Sequence, residues 1–322
     1  MPRATSIREV DELRQVGTIR PHRVRTESPL RDEVLRKSID GAVQVHVIMV
    51  VQFGGCTRDR GSVSRMTLAL VTGATAGIGA EYARQLAARG MDLVLVARDV
   101  DRLQALAATL TDQHGIAVEV LPADLLDEEQ CARVERRVAA SDHPVDYLVN
   151  NAGFGLAQQF DEASIGDELR QFDLLARVPL RLIHAALSQM LPRRSGTIVT
   201  VSSSAAFGPL GSYSAAKAWS ISFSRWANAY YRSSGVAVSA VAPGFVRTEF
   251  HERMKVSRES MAPNALWMNV DTLVRQALRD VDRGKAISVP TLRYKVIVGV
   301  MGIGRPIISA LVARQGTASR RR

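Results

Sequence analysis

Leu68-Ala69-Leu70-Val71-Thr72-Gly73-Ala74-Thr75-Ala76-Gly77-Ile78-Gly79 is the stretch on which the fold turns. Leu68 to Val71 is a short apolar run and reads as a buried strand. Thr72 to Gly79 is rich in glycine. A helical pattern then runs from Ala80 to Arg89, with Gly90 as its C-terminal stop. Strand, glycine turn and helix in this order form a cradle for a dinucleotide. The glycines let the backbone approach a pyrophosphate, which rests on the N–H groups and positive dipole of the helix start. The spacing departs from Gly-x-Gly-x-x-Gly, so the flanking strand and helix carry the reading.

A second stretch points to chemistry. In Tyr213-Ser214-Ala215-Ala216-Lys217 the tyrosine and lysine are four residues apart, on one helix face. A lysine ammonium there is expected to lower the tyrosine pKa from its ordinary value near 10 toward a range useful for proton transfer. Ser203, ten residues upstream, can hydrogen-bond a substrate carbonyl.

Between and beyond these stretches, strands alternate with helices. Strand patterns cover Asp92–Ala97, Ala117–Leu121, Tyr147–Val149, Gly196–Ser202, Val236–Val241 and Ala286–Val289. Helical patterns cover Asp101–Asp112, Asp127–Ser141, one long region Glu162–Met190, Tyr213–Ser233 and Asp271–Arg283. The alternation predicts an α/β fold, a doubly wound parallel sheet in one domain with N- and C-terminal extensions.

Residues 67–290 resemble the short-chain dehydrogenase/reductases, a Rossmann-fold family. Thr72-Gly73 with Gly77-Ile78-Gly79 is similar to that family's cofactor motif, and Asn150-Asn151-Ala152-Gly153 to its Asn-Asn-Ala-Gly segment. Ser203, Tyr213 and Lys217 match its catalytic serine, tyrosine and lysine. Pro243-Gly244, with Thr248 after it, matches the segment that lines the nicotinamide. The resemblance implies cofactor contacts from Gly73, Thr75, Ala76, Gly77, Ile78 and Gly79. It implies further contacts from Asn151, Ala152 and Gly153, and from Pro243, Gly244, Val246 and Thr248. It also implies that Tyr213 exchanges a proton with the substrate oxygen, that Lys217 holds the nicotinamide ribose and keeps Tyr213 acidic, and that Ser203 polarises the carbonyl. Within the family the chain looks most like reductases of 3-oxoacyl or steroid-like carbonyls.

Cofactor choice is read at the end of the second strand. Ala97 stands where an acid would bind the ribose hydroxyls, and Arg98 follows with a planar fork suited to a phosphate. The expectation is NADP(H), with Asp99 as a rival that could turn inward. Asp124, with Leu125 after it, matches the position that approaches the adenine; the alternative is a helix cap. One departure stands out. The family's usual asparagine before the fifth strand aligns with Leu175, which cannot hydrogen-bond the water that would relay protons from Lys217. A catalytically weak NADP(H)-binding protein is therefore the second reading.

After Thr248 come Phe250, Met254, Met261, Trp267 and Met268, expected to form a lid over a hydrophobic carbonyl or alcohol substrate, with ordinary core packing as the alternative. Arg247, Arg253 and Lys255 could meet the phosphate of a thioester carrier. Trp219, Phe223, Trp226 and Tyr230 form one stripe on the Tyr213 helix, centred about 130° from Tyr213 and Lys217. Part of it is expected to pack on a second copy, giving a homodimer or tetramer.

Composition limits the rest. The formal net charge of +10 is unevenly placed. Residues 1–65 carry 12 basic and 8 acidic residues, and 291–322 carry 7 basic and none acidic. The unit 66–290 is near neutral, so no nucleic-acid-binding face is expected. Residues 291–322 read as an amphipathic segment and basic tail, a candidate for peripheral membrane contact. Residues 1–65 are expected to be largely disordered, with a helix near Ser28–Ser38, and Met66 reads as the natural start; a regulatory arm is the alternative. Two cysteines, Cys56 and Cys131, build no disulfide framework and fit a cytoplasmic protein. No apolar run reaches the about 18–20 residues of a spanning helix, and no metal-ligand spacing is present.

Overall fold

A computed structural model describes residues 67–250 and 262–303. The extension 1–65, the helix expected near Ser28–Ser38, and Arg253, Met254, Lys255 and Met261 lie outside the described residues.

Seven strands form one sheet. They are β1 (Leu68–Thr72), β2 (Asp92–Ala97), β3 (Val118–Pro122), β4 (Val145–Asn150), β5 (Gly196–Val201), β6 (Val236–Val241) and β7 (Ile287–Ser288). Their spatial order is β3-β2-β1-β4-β5-β6-β7, and every pairing is parallel. The central strands are mostly apolar, as strands covered on both faces must be: all five residues of β1 are buried. Strand order reverses between β1 and β4, which opens a crevice at the carboxyl ends of the strands.

Among the described residues, eight helices flank the sheet: α1 (Gly77–Ala87), α2 (Val100–His114), α3 (Glu128–Ala139), α4 (Ile165–Phe172), α5 (Val178–Arg193), α6 (Ser212–Tyr231), α7 (Val270–Asp282) and α8 (Leu292–Ile303). One apolar layer joins Tyr82 and Leu86 of α1, Leu103 of α2, Leu273 and Val274 of α7 and Tyr294 of α8 to one sheet face. The other joins Val134 of α3, Leu182 and Ile183 of α5 and Ala227 of α6 to the opposite face.

Three differences from the sequence reading have local causes. The first helix starts at Gly77, inside the glycine turn: Gly73 (φ 65°) and Gly77 (φ 53°) both take the left-handed backbone open to glycine, and the chain winds into the helix from there. The long helical region 162–190 is helical without a break from Ile165 to Arg193 but carries a π-turn, Asp173–Arg177, between α4 and α5. The segment after β7 is not simply amphipathic: α8 buries Tyr294 yet exposes Leu292, Val296 and Val300.

Candidate active site

Four strand ends build the site. β1 runs into the glycine turn, and α1 begins with no side-chain cap at Ala76 and no acid in its first turn. By contrast, α2, α3 and α4 are capped by Asp99, Asp127 and Ser164. The leading N–H groups of α1 are thus left for an anion, and the cradle fits a nucleotide pyrophosphate. The turn has no room for larger residues. A Cβ on Gly79 would stand 2.2 Å from the Gly73 carbonyl oxygen, and one on Gly77 3.0 Å from Thr248. Thr75 and Ile78 are half-buried beside it.

The turn after β4 locks this cradle. Asn151 Nδ2 donates to the carbonyls of Thr72 at 2.9 Å and Gly73 at 3.1 Å. The Thr72 hydroxyl accepts from the N–H groups of Asn151 and Ala152 at 2.9 and 3.1 Å. Asn151 is therefore a clamp on the glycine turn. Gly153 lies between the Leu175 methyl and Lys217 Nζ, which stand 2.8 and 3.8 Å from where its Cβ would be.

β5 delivers Ser203 at the start of a short 3₁₀ turn, where its hydroxyl accepts from the Ala205 N–H at 3.1 Å. Tyr213 and Lys217 come from the first turns of α6, with Lys217 Nζ 5.9 Å from the Tyr213 ring centre. Lys217 is buried, and its Nζ donates to the Val201 carbonyl at 2.7 Å. Its backbone carbonyl accepts from the hydroxyls of Ser202 at 2.9 Å and Ser220 at 2.7 Å.

The electrostatics correct one expectation. Burial pushes the Tyr213 hydroxyl up to about 12, opposed by a hydrogen bond with Ser203. Burial also depresses Lys217 to about 8. Burial of Tyr213 therefore outweighs any lowering by Lys217, whose ammonium is itself desolvated and engaged by a carbonyl.

β6 ends before Pro243, whose carbonyl accepts from the Ser204 N–H at 2.7 Å. Gly244 lies under the Tyr294 ring, which occupies the space a Cβ would need, at 1.7 Å. The Tyr294 hydroxyl accepts from Phe245 N–H at 2.9 Å and donates to the Leu266 carbonyl at 2.8 Å. Val246 is buried and bridges Met268. Tyr294 was not legible in the sequence: it stands between Arg293 and Lys295, outside any motif and fifty residues from the glycine it covers.

At the far side, Arg98 is exposed and has no ion-pair partner among the described residues. Asp99 is engaged in capping, its carboxylate accepting from Arg102 N–H at 3.1 Å. Asp127, not Asp124, caps α3; the Asp124 carboxylate accepts from Leu126 N–H at 3.0 Å. Leu125 puts its side chain into the core, so only its backbone is left for a cofactor. Trp267 and Met268 are buried too: Trp267 Nε1 donates to the Ala262 carbonyl at 3.1 Å, and Met268 joins the core. For these two residues the lid expectation gives way to core packing.

Comparison with known proteins fits this geometry. Residues 67–259 match the family model for short chain dehydrogenase. A very-long-chain 3-oxoacyl-CoA reductase from Anas platyrhynchos is 33% identical over 221 residues, covering 66% of this chain and 68% of that one. An inactive hydroxysteroid dehydrogenase-like protein 1 from Homo sapiens is 34% identical over 189 residues; the chain spans only 56% of its length, with 56% of its own. A short-chain dehydrogenase from Sphingobium yanoikuyae, solved in complex with NADPH, is 36% identical with a TM-score of 0.68, over 79% of this chain and 95% of that one. The family match runs from the first strand past the Tyr213 helix, and the chain belongs to the short-chain dehydrogenase family, oxidoreductases of alcohol and carbonyl groups that use a nicotinamide cofactor.

Proposed function

We propose that this protein is an NADP(H)-dependent oxidoreductase for the carbonyl or secondary alcohol of a hydrophobic substrate, 3-oxoacyl or steroid-like. The observation that carries the proposal is the convergence of Ser203, Tyr213 and Lys217, with Lys217 Nζ 5.9 Å from the Tyr213 ring centre and beside Gly153, in the 151–153 turn that clamps the glycine cradle. The bound cofactor supplies the hydride. Tyr213, protonated at neutral pH by its raised pKa, is the acid that delivers a proton to the substrate oxygen in reduction. Ser203 orients that oxygen, and Lys217 holds the nicotinamide ribose. The glycine turn, Asn151 to Gly153, Pro243, Gly244, Val246 and Thr248 hold the cofactor, with Asp124 toward the adenine.

Arg98 supports NADP(H) because it is exposed at the β2 end and unpaired among the described residues, while the neighbouring acid is spent on a cap. The NADPH complex of the Sphingobium relative is consistent with this. The 3-oxoacyl-CoA reductase relative supports the substrate class. We place the enzyme in the cytoplasm, as a homodimer or tetramer. A second reading, a catalytically weak NADP(H)-binding protein, is favoured by Leu175 and by the inactive human relative.

One set of measurements tests both. NADPH oxidation is followed with 3-oxoacyl thioesters, ketosteroids and small aldehydes, and NADPH and NADH binding is titrated separately. Tyr213→Phe is expected to lose about 10²–10⁴-fold in turnover while still binding NADPH. Arg98→Asp is expected to shift the affinity ratio toward NADH. Full activity in Tyr213→Phe removes the mechanism, and an unchanged ratio removes the NADP(H) assignment. Tight NADPH binding with no turnover on any carbonyl supports the weak-enzyme reading.

A further inference from the structure

We propose that the outward face of α8 docks on an anionic lipid surface, next to the mouth of the proposed site. The inference rests on that functional reading only for what the surface adjoins.

The helix is fixed in its rotation. Tyr294 is buried and tied by its hydroxyl to Phe245 and Leu266. Met301 packs on Gly208, its methyl 2.6 Å from where a Cβ would stand. α8 therefore cannot roll to hide its other side. On that side Leu292, Val296 and Val300 are 76%, 58% and 64% exposed. Their four-residue spacing makes one stripe. Arg293 and Lys295 are exposed as well. At about 100° per residue they fall on opposite flanks of the stripe. Leu210, 49% exposed, approaches the same Gly208 as Met301 and extends the apolar surface toward the Ser203 turn.

A water-facing helix ordinarily turns polar residues outward. This one turns aliphatic residues outward with a basic residue on each side. No helix of the described residues is long and apolar enough to cross a membrane, so α8 would lie in the interface, not span it.

Charge separates the candidate occupants. Asp282 is the last acid in the sequence, and residues 283–322 carry nine Lys or Arg. The segments that α8 packs against, 204–208, 244–245 and Leu266, contain no acid. The next residue, Glu249, pairs with Arg102 at 3.0 Å. A second copy laid symmetrically on this face would bring basic flank against basic flank. An acidic lipid surface satisfies both parts of the face, the stripe entering the acyl boundary and the flanks meeting headgroups. The apolar surface continues to the Ser203 turn, so docking would set the site beside the phase in which a hydrophobic substrate dissolves.

The test is flotation of the full chain with vesicles of phosphatidylcholine alone and of phosphatidylcholine mixed with phosphatidylserine. The expected result is binding to the mixed vesicles, weakened by salt and weak on phosphatidylcholine alone. Val296→Asp is expected to reduce binding by about tenfold or more. Arg293→Glu with Lys295→Glu should do likewise on the mixed vesicles, and Val296→Leu should leave binding intact. Retained NADPH binding shows that each variant is folded. Absence of binding to mixed vesicles overturns the proposal, as does equal binding by Val296→Asp or equal binding to both vesicle types. Loss of a lipid-free oligomer in Val296→Asp would give the face to a second copy and also overturns it. All these readouts are independent of turnover, so failure of the enzymatic reading would not be mistaken for failure of the surface.

Discussion

Lys217 is the most electrostatically burdened side chain near the site. It is buried, with the Val201 carbonyl as its one hydrogen-bond partner among the described residues. The Leu175 methyl sits on the other side of Gly153, where the family's usual asparagine would bring water. Burial of a cation with so little solvation explains the fall from the ordinary lysine value of 10.5 to about 8. The consequence for stability has a definite sign. Between about pH 8 and 10.5 the unfolded chain holds a proton on this lysine that the folded chain releases, so stability rises with pH across that window. The contribution is fully present above the unfolded value and is lost as pH falls through the folded one. Its size is about 3 kcal/mol, taking about 1.4 kcal/mol per unit. Tyr213, with its pKa raised, works in the opposite sense above pH 10, so the rise is best read below that. Urea unfolding without cofactor should show wild-type stability climbing through this range, with the Lys217→Met protein lacking that climb. Curves that stay a constant distance apart would show that Lys217 is not penalised by burial.

At the scale of elements, α8 carries more of the site than a terminal helix usually does. Its Tyr294 hydroxyl is the partner of the Phe245 N–H, directly after Gly244. Tyr294→Phe keeps the ring over Gly244 but strands that N–H, at a cost of about 1–3 kcal/mol. Gly244→Ala drives a methyl into the ring and should cost about as much through overpacking. Chemical denaturation should find both variants destabilised; wild-type midpoints for both would mean that α8 is not anchored by Tyr294. The same helix marks the limit of what could be read in the sequence. The glycine turn, β1, β2 and the Tyr213–Lys217 pair were legible because each depends on neighbours within one turn or one strand. Asn151 was found by its motif, but its work, holding the carbonyls of Thr72 and Gly73, depends on contacts 78 and 79 residues away. Tyr294 had no motif at all. The π-turn at Asp173–Arg177 leaves a helical pattern on either side, so the long helical region was legible and the turn inside it was not. The tyrosine pKa went the wrong way because helical spacing gives proximity and says nothing about the solvent that both side chains lose.

On the whole molecule, the exposed apolar surface on the α4–α6 side asks for a cover. Rings of Trp219, Phe223, Trp226 and Tyr230 form a ladder with successive centres 5.2, 5.5 and 5.3 Å apart. Trp219 and Phe223 spend part of their surface on the subunit's own core, but Trp226 and Tyr230 are exposed. Beside α6, helix α4 exposes Ile165, Leu169 and Phe172 at spacings of four and three. Large aromatics at an exposed helix pair are what the apolar centre of a two-fold interface is made of. The stripe stands about 130° around α6 from Tyr213 and Lys217, so covering it leaves the site open. Sedimentation equilibrium is therefore expected to give a mass of at least two chains. Trp226→Ala with Tyr230→Ala should weaken association by about 2 kcal/mol or more, the usual cost of truncating aromatic anchors at an interface centre. NADPH binding should survive in the dissociated protein, because no cofactor-holding residue lies on this face. A wild-type monomer at micromolar concentration that retains full activity would leave the ladder as packing within one chain, with no part in assembly.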